Sequence, residues 1–159
     1  MPVAAEDFTR TLTRVPAPVT VVTTVDHTGR RRGFTGSAFS SLSLDPPLIL
    51  MCLGKTASTH SAFVHSGHFL VNVLAQHQDE IARRFAESGV DRFLAGDTTT
   101  AELGLPGIPG AAARIGCTTH AVHDGGDHSI LIGRVEVVYA GTAEPLVYCD
   151  RGFARLTTA

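Results

Sequence analysis

Two long strands joined by a tight turn constrain the fold of this chain more than any other feature of its sequence. Residues 112–123 and 128–140 carry valine, isoleucine and threonine, residue types that favour extended structure. The segment between them, Asp124-Gly125-Gly126-Asp127, has the composition of a β-hairpin turn. The sequence therefore predicts a long antiparallel hairpin, around which the rest of the chain builds its sheet.

Apolar runs and turn residues predict further elements along the chain. Strands are expected at residues 19–25, 32–41, 48–53, 69–74 and 146–149, and helices at residues 5–14, 58–66 and 76–88. Short connections between most strands favour a closed barrel, and a split sheet packed on helices is the alternative. We find no internal repeat and expect a single domain over residues 1–159.

The composition is that of a globular protein, because 43% of the residues are hydrophobic and 18% are charged. A net charge of −2 gives no electrostatic reason to expect nucleic acid or an anionic membrane as a partner. No apolar segment approaches the roughly 20 residues of a membrane span. The three cysteines, at positions 52, 117 and 149, form no CxxC pair, which favours a reduced cytoplasmic setting.

A run of small, hydroxyl-bearing residues occupies positions 33–47 and ends at two prolines. Its serine and threonine hydroxyls and its backbone amides can donate hydrogen bonds to a phosphate or to a planar heterocycle. A serine-rich surface loop is the alternative interpretation. The run is therefore a candidate wall of a binding site.

Two further segments carry groups that attract anions. Residues 55–59, Lys-Thr-Ala-Ser-Thr, follow a predicted buried strand and open a helix, so hydroxyls, amides and an ammonium converge there. The alternative is a capped helix beside a surface lysine. Arg83-Arg84-Phe85 lies within a predicted helix, where either arginine could bind a phosphate or a carboxylate. The alternative is that the arginines lie on a solvated helix face. Neither a GxxxxGK[ST] loop nor a GxGxxG motif is present.

The eight histidines include a group near the hairpin turn that invites a metal interpretation. His120 and His123 differ by an odd number of residues, however, and side chains at such a spacing face opposite sides of a strand. We therefore expect no metal site. His128 is different because it begins an apolar strand directly after Asp127, whose carboxylate could fix its tautomer or its protonation state.

Five motifs in order give the chain a family resemblance from Phe8 to Leu156. They are Gly33-x-Thr35-x-Ser37-Ala38-Phe39-Ser40-Ser41-x-Ser43-x-x-Pro46-Pro47-Leu48, Ser66-Gly67-x-Phe69-x-Val71-Asn72-Val73-Leu74, Ala82-Arg83-x-Phe85-Ala86, Gly126-Asp127-His128-x-x-x-x-Gly133 and Pro145-Leu146-x-Tyr148. Together they resemble the flavin reductase-like, FMN-binding split-barrel family. Its members are reductase components of two-component flavin-dependent monooxygenases, which use NADH or NADPH to reduce FMN or FAD. The resemblance implies a mainly β fold with inserted helices, a split β-barrel, assembled as a homodimer that passes reduced flavin to a monooxygenase.

The resemblance also implies site residues. For the flavin it indicates Thr35, Ser37 and Ala38 along the isoalloxazine edge, Ser40 and Ser41 at the phosphate or ribityl chain, Cys52 and Leu53 beside the ring, Lys55, Ser58 and Thr59 at the phosphate, and Arg84 and Phe85 near both. For NAD(P)H it indicates His128, as the catalytic residue beside the nicotinamide, with Tyr148, Phe153 and Arg155. Several relatives carry asparagine at position 38, so Ala38 removes one hydrogen bond to the flavin.

Two other functions fit the same residues. One is a flavoprotein that holds FMN tightly and acts directly on its own substrate, and the other is a non-catalytic flavin-binding protein. Fold alone does not decide among them. No basic pocket for a 2′-phosphate is evident in the sequence, which favours NADH over NADPH.

Overall fold

The computed structural model describes residues 2–159, and most of its regular structure is β. The strands are β1 (Ala17–Pro18), β2 (Thr20–Val25), β3 (Arg31–Gly36), β4 (Phe39–Ser43), β5 (Leu48–Gly54), β6 (His68–Val73), β7 (Thr99–Thr100), β8 (Pro106–Gly107), β9 (Ala113–Gly125), β10 (His128–Ala140), β11 (Leu146–Cys149) and β12 (Gly152–Arg155). The helices are α1 (Ala5–Leu12), α2 (His60–His65) and α3 (Asp79–Ala86), with a 3₁₀ turn at Glu102–Gly104. No helix within residues 2–159 combines the length and the apolarity needed to cross a membrane.

Seven strands form the main sheet in the order β3-β2-β6-β9-β10-β5-β4, and every neighbouring pair is antiparallel. The two edge strands are consecutive in the chain, joined only by Ser37 and Ala38. Ala38 accepts a hydrogen bond from the Cys52 amide at 3.0 Å, so the crossing segment lies against β5. No strand pairing in the described residues joins β3 to β4. The split barrel is thereby confirmed, and the barrel closed by hydrogen bonds is wrong.

The crossing segment also corrects one predicted strand. We expected a single strand at residues 32–41, but the structure has β3 paired with β2 and β4 paired with β5. The chain changes partner at Ser37 and Ala38, because it passes there from one edge of the curled sheet to the other. The composition is equally β-favouring on both sides of that change, so the sequence pattern did not reveal it.

The predicted hairpin is confirmed, because β9 and β10 pair from Gly125 and His128 at the turn to Ala113 and Ala140 at the far end. Helix α3 is shorter than expected and begins at Asp79 rather than at residue 76. The chain forms a turn before it, in which the Gln78 side chain accepts a hydrogen bond from the Ala75 amide at 2.9 Å.

Two clusters of buried apolar side chains lie on the two faces of the sheet. Strand β2 contributes to both, because neighbouring side chains of a strand point to opposite faces. Val22 belongs to the cluster inside the barrel, which contains Phe34, Ile49, Met51, Leu53, Phe63, Phe69, Val71, Cys117 and Leu131. Val21 belongs to the cluster under α3, which contains Val19, Leu74, Ala82, Phe85, Phe93, Ile108, Ala111 and Leu146. Burial on both faces fixes the position of α3 beside β3.

A small second sheet of β1, β11 and β12 packs beside this core. Strand β12 was not predicted, because the turn before it is made by Asp150 and Arg151. Both residues have positive φ, 52° and 61°, although neither is a glycine. The Phe153 ring of this sheet packs against the cluster under α3, and the Arg83 guanidinium lies 5.0 Å from its centre.

Candidate functional site

A cavity of about 690 Å³ lies where the chain passes from β3 to β4. One wall is formed by residues 34–38, a second by residues 52–54 and 56–59, and a third by α3 and the loop after it. Arg92 and His128 complete the lining. The volume is in the range of about 300–1,000 Å³ that small-molecule sites occupy. We call this space the crossing cavity.

The crossing segment supplies the first wall. Ser37 and Ala38 are exposed in it. Thr35 is engaged within the protein, since its hydroxyl donates a 2.6 Å hydrogen bond to the Ala82 carbonyl of α3. This bond fixes the distance between the first and third walls, so the width of the cavity is set by the fold.

The end of β5 supplies part of the second wall. Cys52 and Leu53 line the cavity there, and Cys52 is half-buried. Burial raises the pKa of the Cys52 thiol, so the thiol is neutral at pH 7. The wall therefore presents an uncharged surface to a ligand.

Ser58 and Thr59 follow in the loop before α2, and Thr59 is the unusual member of the cavity. Its side chain is only 6% exposed, and within residues 2–159 its Oγ1 is the buried side-chain polar atom that has no hydrogen-bond partner. Helix α2 begins one residue later and has no side-chain cap bond from Thr59. An unpaired buried hydroxyl costs free energy. The hydroxyl therefore fits a ligand that supplies the missing partner.

Arg92 is the charged residue of the cavity that the sequence analysis did not name. Its guanidinium donates to the Gly33 carbonyl at 2.7 Å and to the Glu87 carbonyl at 2.9 and 3.1 Å. No carboxylate of the described chain pairs with it. Burial lowers the pKa of Arg92, yet an arginine stays charged at neutral pH. Arg92 lies in an irregular loop after α3, where no periodic pattern marks it.

His128 lines the cavity at the start of β10, opposite Gly54 of β5. Its Nδ1 lies 2.7 Å from an Asp127 carboxylate oxygen, and Nε2 makes no hydrogen bond within the described residues. The hydrogen bond from His128 holds the pKa of Asp127 below its usual range, so this carboxylate is ionised at neutral pH. A fixed imidazole with one free nitrogen thus stands at the rim. The part of the chain that the structure describes holds no cluster of three or more metal-ligating side chains.

The structure brings together most of the residues expected to touch a flavin or NAD(P)H and leaves others outside. Those that line the crossing cavity are Thr35, Ser37, Ala38, Cys52, Leu53, Ser58, Thr59, Phe85 and His128. Those that lie outside it within one chain are Ser40, Ser41, Lys55, Arg84, Tyr148, Phe153 and Arg155.

The residues outside the cavity have other contacts in this chain. Lys55 pairs with Asp124 across the hairpin turn. Arg84 binds both carboxylate oxygens of Asp97 at 2.6 and 2.7 Å. Ser40 and Ser41 are exposed on the edge strand β4, and the remaining three residues belong to the small second sheet. Their ligand-binding roles stay predictions.

Comparison with known proteins gives matches along nearly the whole chain. The family described as "flavin reductase like domain" matches residues 12–157. A Streptomyces coelicolor protein named actinorhodin polyketide dimerase is 41% identical over 149 residues, which are 93% of this chain and 84% of that protein. A Rhodococcus jostii protein named flavin-dependent monooxygenase, reductase subunit HsaB, is 44% identical over 117 residues, 74% of this chain and 60% of that protein.

Among solved structures, the Streptomyces globisporus NADH:FAD oxidoreductase SgcE6, in complex with NAD and FAD fragments, superposes with a TM-score of 0.90. It is 35% identical to this chain, and the match covers 99% of this chain and 97% of that one. The similarity therefore extends from the sequence to the whole architecture.

Proposed function

The chain belongs to the flavin reductase-like domain family, and on that premise we propose that it is an NAD(P)H:flavin oxidoreductase. It reduces free FMN or FAD and supplies the reduced flavin to a partner monooxygenase. One observation carries the proposal. The crossing cavity brings the 35–38 segment, the end of β5, the Ser58–Thr59 loop and His128 together in one small-molecule site.

The side chains present fit a flavin. The lining residues in the described chain include no aspartate or glutamate, and Arg92 adds one positive charge, which suits a ligand with a phosphate. The unpaired Thr59 hydroxyl can donate to that phosphate. A bound flavin supplies the ring nitrogen that accepts a hydride from the nicotinamide.

The protein's own contribution is position and electrostatics. Ser37 and Ala38 hold the ring edge through backbone groups, and the neutral thiol of Cys52 and the apolar Leu53 flank it. Thr59 and Arg92 hold the phosphate. His128 orients the nicotinamide through its free Nε2, while Asp127 fixes the ring through Nδ1. No covalent nucleophile is required.

The assay that tests the proposal follows NADH and NADPH absorbance with FMN, with FAD, with riboflavin and without flavin. We expect oxidation that depends on added flavin and an NADH preference. An assay under nitrogen then asks whether the reduced flavin leaves the protein, and oxygen added afterwards with a separate monooxygenase asks whether that flavin supports oxygenation. If neither NADH nor NADPH is oxidised with any of the flavins, the proposal is wrong.

A second function is favoured by one comparison. The relative that shares 41% identity over most of its length is named a polyketide dimerase, which fits a flavoprotein acting directly on its own substrate. Such a protein would carry tightly bound FMN. Stoichiometric flavin in the purified protein would favour this function, whereas colourless protein that turns over added flavin would favour the reductase.

We also propose a homodimer. Several large apolar side chains are solvent-exposed in one chain, among them Leu44 at 92%, Leu94 at 81% and Val138 at 67%. An interface between two copies of the chain would remove apolar side chains such as these from water. Sedimentation velocity should give twice the 16.8 kDa chain mass, and a single 16.8 kDa species at every concentration would contradict the dimer.

The compartment and the extent of the functional unit are proposals of the same kind. Cys52, Cys117 and Cys149 are all free thiols, which supports a reducing cytoplasm. The family match over residues 12–157 supports one flavin reductase-like domain over residues 1–159.

A further inference from the structure

A second cavity, of about 480 Å³, adjoins the crossing cavity. The two share Ser58, Thr59, Gly89 and Arg92 in their linings, so they meet at these four residues. The second cavity is also lined by residues 29–33, at the turn between β2 and β3, and by residues 90–93. We call it the arginine cavity, because Arg30, Arg31, Arg32 and Arg92 all line it.

Most of the positive charge in the arginine cavity is not neutralised. Arg32 pairs with Asp26 at 2.9 Å. Arg30, Arg31 and Arg92 have no carboxylate partner among residues 2–159, and the Arg31 guanidinium lies 5.0 Å from the centre of the Phe93 ring. One carboxylate, Asp91, faces these charges, and its Oδ1 accepts the Phe93 amide at 3.0 Å. The excess of uncompensated arginine predicts an anionic ligand.

We infer that the arginine cavity takes the second phosphate and the adenosine of FAD, so that FAD is the preferred flavin over FMN. The inference rests on the proposed function, which places the flavin ring in the crossing cavity. The phosphate of FMN would reach the junction of the two cavities, where Thr59 and Arg92 would bind it. FAD continues from that point with a second phosphate, which bears one negative charge beyond the junction, and with a planar adenine. The arginine cavity offers both a positive field and flat guanidinium surfaces.

The nicotinamide dinucleotide also carries a pyrophosphate and an adenosine, and NADPH adds a 2′-phosphate. The FAD assignment is favoured because His128, which is proposed to meet the nicotinamide, lines only the crossing cavity. The residues shared by the two cavities, Thr59 among them, instead connect the proposed site of the flavin ring to the arginines. The test therefore measures flavin binding in the absence of NAD(P)H.

The experiment is calorimetric titration of the purified full chain with FAD, FMN and riboflavin. We expect the native protein to bind FAD more tightly than FMN. Arg31→Gln should weaken FAD binding about tenfold, as expected for one charge-assisted contact, and change FMN binding less than about twofold. ADP alone should compete with FAD and not with riboflavin. The matched control is Arg134→Gln, the same charge change at an exposed site on β10, which should leave all three affinities unchanged.

Three results would overturn the inference: a native preference for FMN, equal losses for FAD and FMN in Arg31→Gln, or unchanged flavin affinities in Arg31→Gln with a raised KM for NADH or NADPH in the absorbance assay. The last would assign the cavity to the nicotinamide nucleotide. If Arg31→Gln does not fold, Arg30→Gln replaces it, because Arg30 has no side-chain hydrogen bond within the described chain. The proposed function fails separately, since NAD(P)H oxidation can be absent while calorimetry still reports the flavin preference.

Discussion

Thr59 and His128 each have a side-chain polar atom that forms no hydrogen bond within the described residues. Thr59 is buried with an unpaired hydroxyl, and His128 is anchored at one nitrogen and free at the other. The sequence indicated Thr59 through the anion-attracting segment 55–59 and His128 through the family motif that begins at Gly126. It could not show that Thr59 lacks a partner, because that depends on how the loop before α2 folds in three dimensions.

Replacing Thr59 separates stability from binding. Thr59→Val keeps the shape of the side chain and removes the unpaired hydroxyl, so the free energy of unfolding without ligand should rise by up to about 1 kcal/mol. Flavin affinity should fall by about tenfold, because the hydroxyl is the proposed phosphate donor. Urea unfolding and calorimetric titration measure the two effects.

The matched control for that change is Thr20→Val. The Thr20 hydroxyl is also buried, but it donates to the Gly36 carbonyl at 2.6 Å. Its removal should lower stability, because the carbonyl loses its partner. If Thr59→Val is destabilised as much as Thr20→Val, the hydroxyl of Thr59 is paired within the protein and the assignment is wrong.

Replacing His128 tests its positioning role. His128→Ala should lower kcat/KM for NAD(P)H by about 10- to 100-fold, as expected when one positioning contact is lost. The Kd of flavin should stay within about twofold, because the ring walls are untouched. His120→Ala, at an exposed site on β9 outside the cavity, is the control. Unchanged steady-state rates in His128→Ala would remove the role.

At the scale of elements, the β9–β10 hairpin shows what local pattern predicts well. Its strands and its turn are specified by neighbouring residues, and the structure confirms them. Strands β3 and β4 show the limit, because their separation depends on which distant strand each one joins. The same holds for β12, whose turn uses positive φ at Asp150 and Arg151, residues without the freedom of glycine.

Gly133 tests how tightly β10 packs inside the barrel. A Cβ at this position would lie 2.5 Å from the tip of the Phe69 ring and 2.8 Å from Cys117 Cβ. Gly133→Ala should therefore lower the free energy of unfolding by about 1–3 kcal/mol. Gly67→Ala is the control, since a Cβ there meets nothing within 4 Å. Equal stability of the two variants in urea would show that the barrel interior can adjust at no cost.

At the scale of the whole molecule, the crossing cavity gathers residues from four places in the chain: 34–38, 52–54 with 56–59, the end of α3 with the loop to Arg92, and His128. Each segment carried a recognisable pattern except the loop that holds Arg92. The family resemblance implied that these segments meet in one site, and their spacing in the sequence alone could not have shown it. The arginine cavity was not foreseen, because Arg92 is far from Arg30–Arg32 in the sequence and only the fold brings them to one cavity.

The stability of the whole molecule in acid depends on ion pairs that link distant elements, and Glu102 with Arg114 is the best enclosed. Both side chains are 15% exposed, and two hydrogen bonds of 2.7 and 3.0 Å join the 3₁₀ turn to β9. The hydrogen bond from Arg114 holds the pKa of Glu102 below its usual value. A carboxylate with a lowered folded pKa stabilises the protein above its unfolded pKa, about 4.3, and loses that contribution as the pH falls toward the folded pKa.

Glu102→Gln should therefore lower the free energy of unfolding by about 1 kcal/mol at pH 7, because the charge-assisted bonds are weakened. The difference from the native protein should shrink below about pH 4.3, because Glu102 of the unfolded chain binds a proton there before the native carboxylate does. Glu144→Gln is the control, since Glu144 is exposed and forms no ion pair within residues 2–159. Urea unfolding of the three proteins from pH 7 to pH 3 measures the effect. A difference that is constant over this range would show that Glu102 acts through packing, whereas a closing difference assigns the stabilisation to its charge.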